Sequence, residues 1–425
     1  MNKEKRNVGV LSVRNTKKNL PNCAQKGNRG ITLVALIITI IVLLILAVVA
    51  IRAVQGDGII SKAKEAQTKY EKAQAEELSI LSSYELEFSK NSPTSLSDEI
   101  IGTKFEKTTF VKDEKGKTFV VPAGYAIVKD DSTSDTVEVN KGVVITDEIN
   151  QFVWVPVENI NTMAKVTSGT DANGRTNYQS ISSSYGEPDV ITRDYLDGYM
   201  GMSGSDSFDA IESNLIEAGC TEDLNKDGKL DAYDFKIKLQ EEYNSMVESV
   251  EKYGGFYIGR YETSLNGEIV QSVSGVSSAT GNDGTWYYLY AKLKTYANDK
   301  NSVVSGMIYY SQYNAMTKWM KNSGIDVTSS TPTDTTGITA SGNTTRVTGS
   351  ESKDKLNNVY DLLGNSSEWT QATDFSHSLG LRLAVGGYYS YGAFSYDGSN
   401  SVAPDSSMLF APSEIVSPRL QLYIK

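Results

Sequence analysis

The chain has 425 residues and a net charge of −11, from 41 Lys and Arg against 52 Asp and Glu; 39% of residues are apolar and 22% charged. This is a globular composition with room for two or three domains, not a disordered or fibrous one. A single His, His377, excludes a His-rich metal cluster, and two Cys, Cys23 and Cys220, exclude a disulfide-stapled scaffold.

Residues 1–30 form a basic leader with eight Lys or Arg and one Glu, a net of +7, so the other 395 residues carry −18. An acidic body repels phosphate backbones, and no nucleic acid partner is expected. Residues 31–51 (ITLVALIITIIVLLILAVVAI) run for 21 positions without a charge. That length predicts a transmembrane helix, and the basic flank places the leader in the cytoplasm and the body outside. The run is too long for the apolar region of a cleaved signal peptide, and its length and flanking charge argue against a buried core helix.

Arg29-Gly30-Ile31-Thr32-Leu33-Val34 followed by an apolar helix resembles the N-terminus of type IV prepilins. The resemblance implies cleavage after Gly30 by a prepilin peptidase and methylation of the new terminus, Ile31. Ala35 stands where that family has a Glu that neutralises a neighbouring subunit's terminus. A membrane-anchored, pilin-like surface protein is therefore expected ahead of a filament subunit.

Residues 52–92 predict a helical stalk. Ala63, Ala66, Tyr70 and Ala73 recur at helical spacing among Lys and Glu, and Gly56-Asp57-Gly58 offers a kink. After Pro93 the pattern changes to short β-like runs: a small β-rich part over 93–141, then a larger domain over 142–425. Strands are expected at Thr108–Val111, Thr118–Val121, Gly124–Val128, Thr136–Val139, Gln151–Val157 and Gly254–Thr263. A helix is expected over Ser311–Lys321, and a surface loop over 326–350.

Three segments resemble the formylglycine-generating enzyme (sulfatase-modifying factor) family. They are Phe152-Val153-Trp154-Val155-Pro156-Val157, Phe256 to Thr263, and Asn358 to Thr370 with its Gly-Asn-x-x-Glu-Trp element. Arg382, Gly386-Gly387 and Arg419 fit the closing part. The resemblance implies an α+β, C-type-lectin-like domain with short sheets, long loops and two helices, behind the N-terminal transmembrane and stalk helix. Ser367 stands where the family has an aromatic, and Ser417-Pro418 where it has Gly-Phe. The family's enzymes use a C-terminal Cys pair for copper, or iron held by His. No Cys follows Cys220 and His377 stands alone, so no oxidase chemistry, and no enzyme, is expected.

Within an insertion at about 205–250, Asp223, Asn225, Asp227, Lys229, Asp231 and Asp234 occupy the ligand positions of an EF-hand-like calcium loop, with Gly228 at its sixth position. Lys229 would ligate through its carbonyl. The final Asp234 replaces the usual Glu, which resembles the dockerin type of loop. Calcium as a structural staple is expected, with an Asx-rich turn that binds nothing as the alternative; helices are expected on both flanks.

Residues 386–400 are dense in Tyr, Ser, Gly, Asp and Asn, the palette of antibody loops. Tyr388, Tyr389, Tyr391, Phe394, Tyr396 and Asp397 are the candidate ligand-binding residues, for a protein or glycan outside the cell. The alternative is a β-rich core segment whose rings are packed. In composition and location the segment also resembles the variable region of retroelement-diversified proteins.

Overall fold

The computed structural model describes residues 33–55, 59–129, 136–171, 173–182, 185–190, 212–280, 285–325, 327, 338–339, 345–374, 381–387, 405–406 and 416–425. The chain divides into two compact units, Met1–Tyr84 and Glu85–Lys425.

The first unit holds α1 (Leu33–Gln55) and most of α2 (Ile59–Asn91). The transmembrane span expected over 31–51 is corrected by this structure: among the described residues, no helix is long and apolar enough to cross a membrane. The described charge-free stretch runs from Leu33 to Ile51. Arg52 follows it within the same helix. The large apolar side chains of α1 from Val34 to Val49 are exposed in the single chain. Gly30, Ile31 and the Gly56-Asp57-Gly58 kink lie outside the described residues.

The second unit is α+β with several sheets. In chain order its strands begin β1 (Thr94–Ser95), β2 (Thr109–Lys112), β3 (Thr118–Val121), β4 (Ala126–Val128), β5 (Val144–Thr146) and β6 (Gln151–Pro156). There follow β7 (Ala164–Thr170), β8 (Thr176–Ser180), β9 (Tyr185–Gly186), β10 (Gly255–Gly259) and β11 (Val303–Met307). The last are β12 (Ser367–Asp374), β13 (Leu381–Val385), β14 (Asp405–Ser406), β15 (Val416–Pro418) and β16 (Leu420–Ile424). Helices α3 (Glu212–Glu217), α4 (Ala232–Tyr253), α5 (Trp286–Lys294) and α6 (Tyr310–Asn322) lie among them. The strand expected at Thr136–Val139 is instead a coil entering a 3₁₀ turn, Val139–Lys141.

A six-stranded sheet in the order β11-β16-β10-β6-β5-β4 is the frame. Alternation puts Phe152, Trp154, Tyr257 and Leu422 into one apolar cluster, and Val153, Val155, Phe256 and Ile258 into the other. The sheet is therefore buried on both faces, which explains why β6 and β10 read as continuous apolar runs. The Trp286 and Tyr290 rings of α5 line the first face, and α6 supplies Tyr313, Met316 and Met320 to the second. Helix α4 contributes to both clusters, Phe235 and Leu239 to one, Met246 and Val247 to the other.

Two local signals set these positions. Helix α4 starts at a reciprocal capping box between Asp231 and Asp234 and stops at Gly254, whose φ of 80° is the left-handed value a C-terminal glycine supplies. The next glycine is needed for a different reason: a Cβ on Gly255 would collide with the Val155 carbonyl and stand 2.5 Å from the Trp154 ring. The double glycine thus ends a helix and lets β10 lie against a tryptophan.

A second sheet carries the closing motif, in the order β14-β13-β12-β15, with β9 also paired to β12. The last strand, β16, lies inside the six-stranded sheet between β11 and β10, with Leu422 opposite both Tyr257 and Ser305. The domain is closed only when its final residues are in place.

Candidate functional site

The segment Asn357 to Ser366 turns repeatedly, and its turns are written in the sequence. Asn357, Asn358, Asp361 and Asn365 all adopt positive φ, between 44° and 67°. Asn and Asp tolerate that region better than other side chains because their short polar groups bond locally. The turns bring the motif's polar side chains inward, against strands distant in sequence.

Arg419 lies at the centre. It is fully buried and donates through Nε and Nη2 to Glu368 Oε1 at 3.0 and 2.6 Å. Nη1 donates to the Gly259 carbonyl at 3.1 Å, and Nη2 also to the Tyr360 and Asp361 carbonyls at 2.9 and 3.3 Å. One guanidinium thereby ties β10, the motif turn and β12 together. Glu262, equally buried, accepts from Asn365 Nδ2 at 2.5 Å and from the Ser366 N–H at 3.0 Å. Thr348 Oγ1 accepts from the Glu262 N–H at 3.1 Å and donates to Asp361 Oδ2 at 2.9 Å.

Three acidic side chains share this space with one guanidinium. Burial pushes the Glu368 carboxyl up to about 8 although Arg419 opposes the shift. Burial, reinforced by the Asp361 charge, raises Glu262 well above the usual carboxylate range. In Glu368 and Glu262 alike, burial disfavours the charged form. Glu368 Oε2 has no hydrogen-bond partner among the described residues. It lies against Gly386, where a Cβ would collide with it.

A second buried cation, Arg382, sits on the Trp286 ring with its guanidinium carbon 4.1 Å from the centroid, and donates to the Asp189 and Gln371 carbonyls. Glu187, also buried, accepts from the Tyr310 and Ser311 N–H groups at 2.7 and 2.9 Å, so its carboxylate caps the N-terminus of α6. Burial lifts Glu187 to about 7 against those hydrogen bonds.

These groups frame the root of the Tyr-rich segment. β13 leads into it and β15 leads out of it, and both pair with β12: Glu368 lies opposite Val385 on one side and Ser417 on the other. β14, which follows the segment in sequence, pairs with β13, with Asp405 opposite Ala384. Tyr388, Tyr389, Tyr391, Phe394, Tyr396 and Asp397 lie outside the described residues, as does His377.

The calcium-loop residues are all described. Asp223 accepts from the Asp227 and Gly228 N–H groups at 3.1 and 2.9 Å, Asn225 from Asp227 at 2.9 Å, and Asp227 from Lys229 at 2.9 Å. Asp231 caps α4 through the Tyr233 N–H. Asp234 is fully buried and takes three backbone N–H groups, from Leu224, Asn225 and Asp231, at 2.7–2.9 Å. The oxygens of the pattern thus close the turn on its own backbone. Among the described residues, no group of three or more His, Cys, Asp or Glu side chains is placed to hold a metal ion. The flanking helices expected there are present as α3 and α4. Cys220 is buried, and burial pushes its thiol up.

Sequence reasoning missed Thr348 and Glu187. Thr348 falls within the stretch expected to be a surface loop, yet it is fully buried. Its partners lie 86 and 13 residues away, and no local pattern announces that pairing. A recess of about 570 Å³ was also not foreseen; Tyr125, Asp147 and Lys300 line it, and the Tyr125 and Tyr296 hydroxyls stand 3.0 Å apart.

No protein-family profile matches the chain, and no curated protein matches it significantly.

Proposed function

We propose that this chain is a surface recognition protein whose lectin-like body presents residues 388–415 to a protein or glycan ligand and performs no catalysis. One observation carries the reading: both ends of that segment are anchored on β12, over the buried Arg419–Glu368 pair. A base of this kind supports change in the sequence between its two strands without unfolding the domain. The Tyr-rich palette suits recognition, since Tyr supplies contact area at small entropic cost. The enzyme alternative would need the thiolate pair or the His ligands that the sequence lacks. Surface placement rests on the prepilin-like leader, with processing at Gly30–Ile31 by a prepilin peptidase; N-terminal sequencing of the mature protein tests it.

The experiment is binding of the full-length chain to glycan arrays and to immobilised extracellular proteins. Alanine at Tyr391 and Tyr396 together should abolish the captured signal and leave the melting temperature unchanged. A large drop in melting temperature would instead mark these rings as core.

A second reading, a subunit of a surface filament, is favoured by α1, whose apolar side chains from Val34 to Val49 stand exposed in the single chain. Like subunits packed side by side would cover them. Recovery of the protein in sheared filaments tests this reading.

A further inference from the structure

Helix α2 carries an apolar stripe whose large side chains stand exposed among the described residues. Ala63, Ala66, Tyr70, Ala73, Ile80 and Tyr84 recur every three, four or seven residues, in heptad phase. Glu77 fills the remaining position of the phase. The large members are open to solvent: Tyr70 is 69% exposed, Ile80 55% and Tyr84 71%, with neighbouring Leu81 at 52%. An isolated helix gains little from such a stripe, whereas a paired one buries it.

Two gradients along the helix identify the partner. Bulk is the first: the N-terminal half of the stripe holds Ala63, Ala66 and Ala73 around Tyr70, and the C-terminal half holds Ile80 and Tyr84 with Leu81 beside them. Charge is the second: residues 59–75 hold Lys62, Lys64, Lys69 and Lys72 against Glu65 and Glu71, and residues 76–91 hold Glu76, Glu77, Glu85 and Glu87 against Lys90, so the first half is net positive and the second net negative. Two copies side by side in parallel would set Ala on Ala, Glu77 on Glu77 and Lys69 on Lys69. That arrangement leaves gaps and opposes like charges. Reversing one copy sets Ala63 and Ala66 against Ile80 and Glu77, and brings Lys69 beside Glu76. The ion pairs these lysines make within the helix, Lys69–Glu65 and Lys72–Glu76, are exposed and easily exchanged.

We propose that α2 is a self-association surface, pairing antiparallel with α2 of a second copy and crossing near Tyr70–Ala73. Reversal sets the smaller, net-positive half of one copy against the bulkier, net-negative half of the other. The antiparallel a-to-d' matching of a heptad stripe gives the register.

The test uses the full-length chain with Cys23→Ser and single cysteines at 63, 73 or 84 (Ala63→Cys, Ala73→Cys, Tyr84→Cys), treated with a short bis-maleimide. Cys220 is buried and stays silent. Ala73→Cys should give a covalent dimer. Ala63→Cys and Tyr84→Cys alone should not, because reversal separates each from its own copy by about 25 Å or more. Mixing Ala63→Cys with Ile80→Cys chains should restore the dimer. Linkage at all three single positions would mean parallel packing or indiscriminate association and would overturn the proposal. So would absence of linkage at position 73 together with a monomer by light scattering.

Discussion

Arg419 and Glu368 are joined by two hydrogen bonds to a single carboxylate oxygen, at 3.0 and 2.6 Å, with both side chains sealed from solvent. The pair connects the entry to β16, inside the six-stranded sheet, to β12, the strand that holds the Tyr-rich segment at both ends. Removing the guanidinium takes the donor from Glu368 Oε1 and from the Gly259, Tyr360 and Asp361 carbonyls in a dry interior. Arg419→Ala should therefore destabilise the domain by about 3–5 kcal/mol, read by urea denaturation. Pairing Arg419→Met with Glu368→Leu should recover part of that loss, because an apolar pair needs no compensation.

Stability should fall as pH rises across the neutral range. Glu368 is held at about 8, and Glu262 well above the usual carboxylate range, by burial first of all. A carboxyl whose pKa is raised on folding binds its proton more tightly in the folded state. Its stabilisation is complete below the unfolded value of about 4.5 and is lost as pH climbs through the folded value. Melting temperature measured from pH 5 to pH 9 should decline through this window. Glu368→Gln with Glu262→Gln should flatten the slope, since an amide stays neutral throughout.

Gly255→Ala should destabilise the six-stranded sheet. The added Cβ meets the Val155 carbonyl and the Trp154 ring, neither of which has room to retreat. Overpacking of this kind costs about 1–3 kcal/mol. Chemical denaturation measures it, and Trp154→Leu in the same chain should relieve part of the clash.

Asp234→Ala should lower the melting temperature with or without a chelator. Three backbone N–H groups lose their acceptor, two in the loop and one at the start of α4. Each donor left buried and unmet costs about 1–3 kcal/mol. Calcium binding, proposed from the sequence pattern, adds a separate increment: millimolar calcium should raise the melting temperature of the natural chain and not of Asp223→Ala. An equal response in both would leave the loop a hydrogen-bonded turn.

Much of the architecture is legible in local patterns. The near-continuous apolar runs of Gln151–Pro156 and Gly255–Gly259 mark buried central strands. The spacing of Tyr313, Met316, Trp319 and Met320 marks α6. Where the expectation failed, a local signal competed with context. Thr136–Val139 has β-forming residues, but the Val139 N–H bonds to Asp113 at 2.8 Å and the chain turns there. The charge-free run at 31–51 implied a membrane crossing, and among the described residues no helix is long and apolar enough for one.

By itself the sequence determined the acidic α+β body, the helix α2, the turns at Asn and Asp, and the absence of a thiolate pair or His cluster. Composition and short-range periodicity act over a few residues, and those properties follow from them. Tertiary structure alone decided that Arg419 meets Glu368 across 51 residues, that Thr348 bridges Glu262 and Asp361, and that β16 closes the central sheet. Such pairings are set by which polar groups are forced together when water is excluded, and no single segment of chain carries that information.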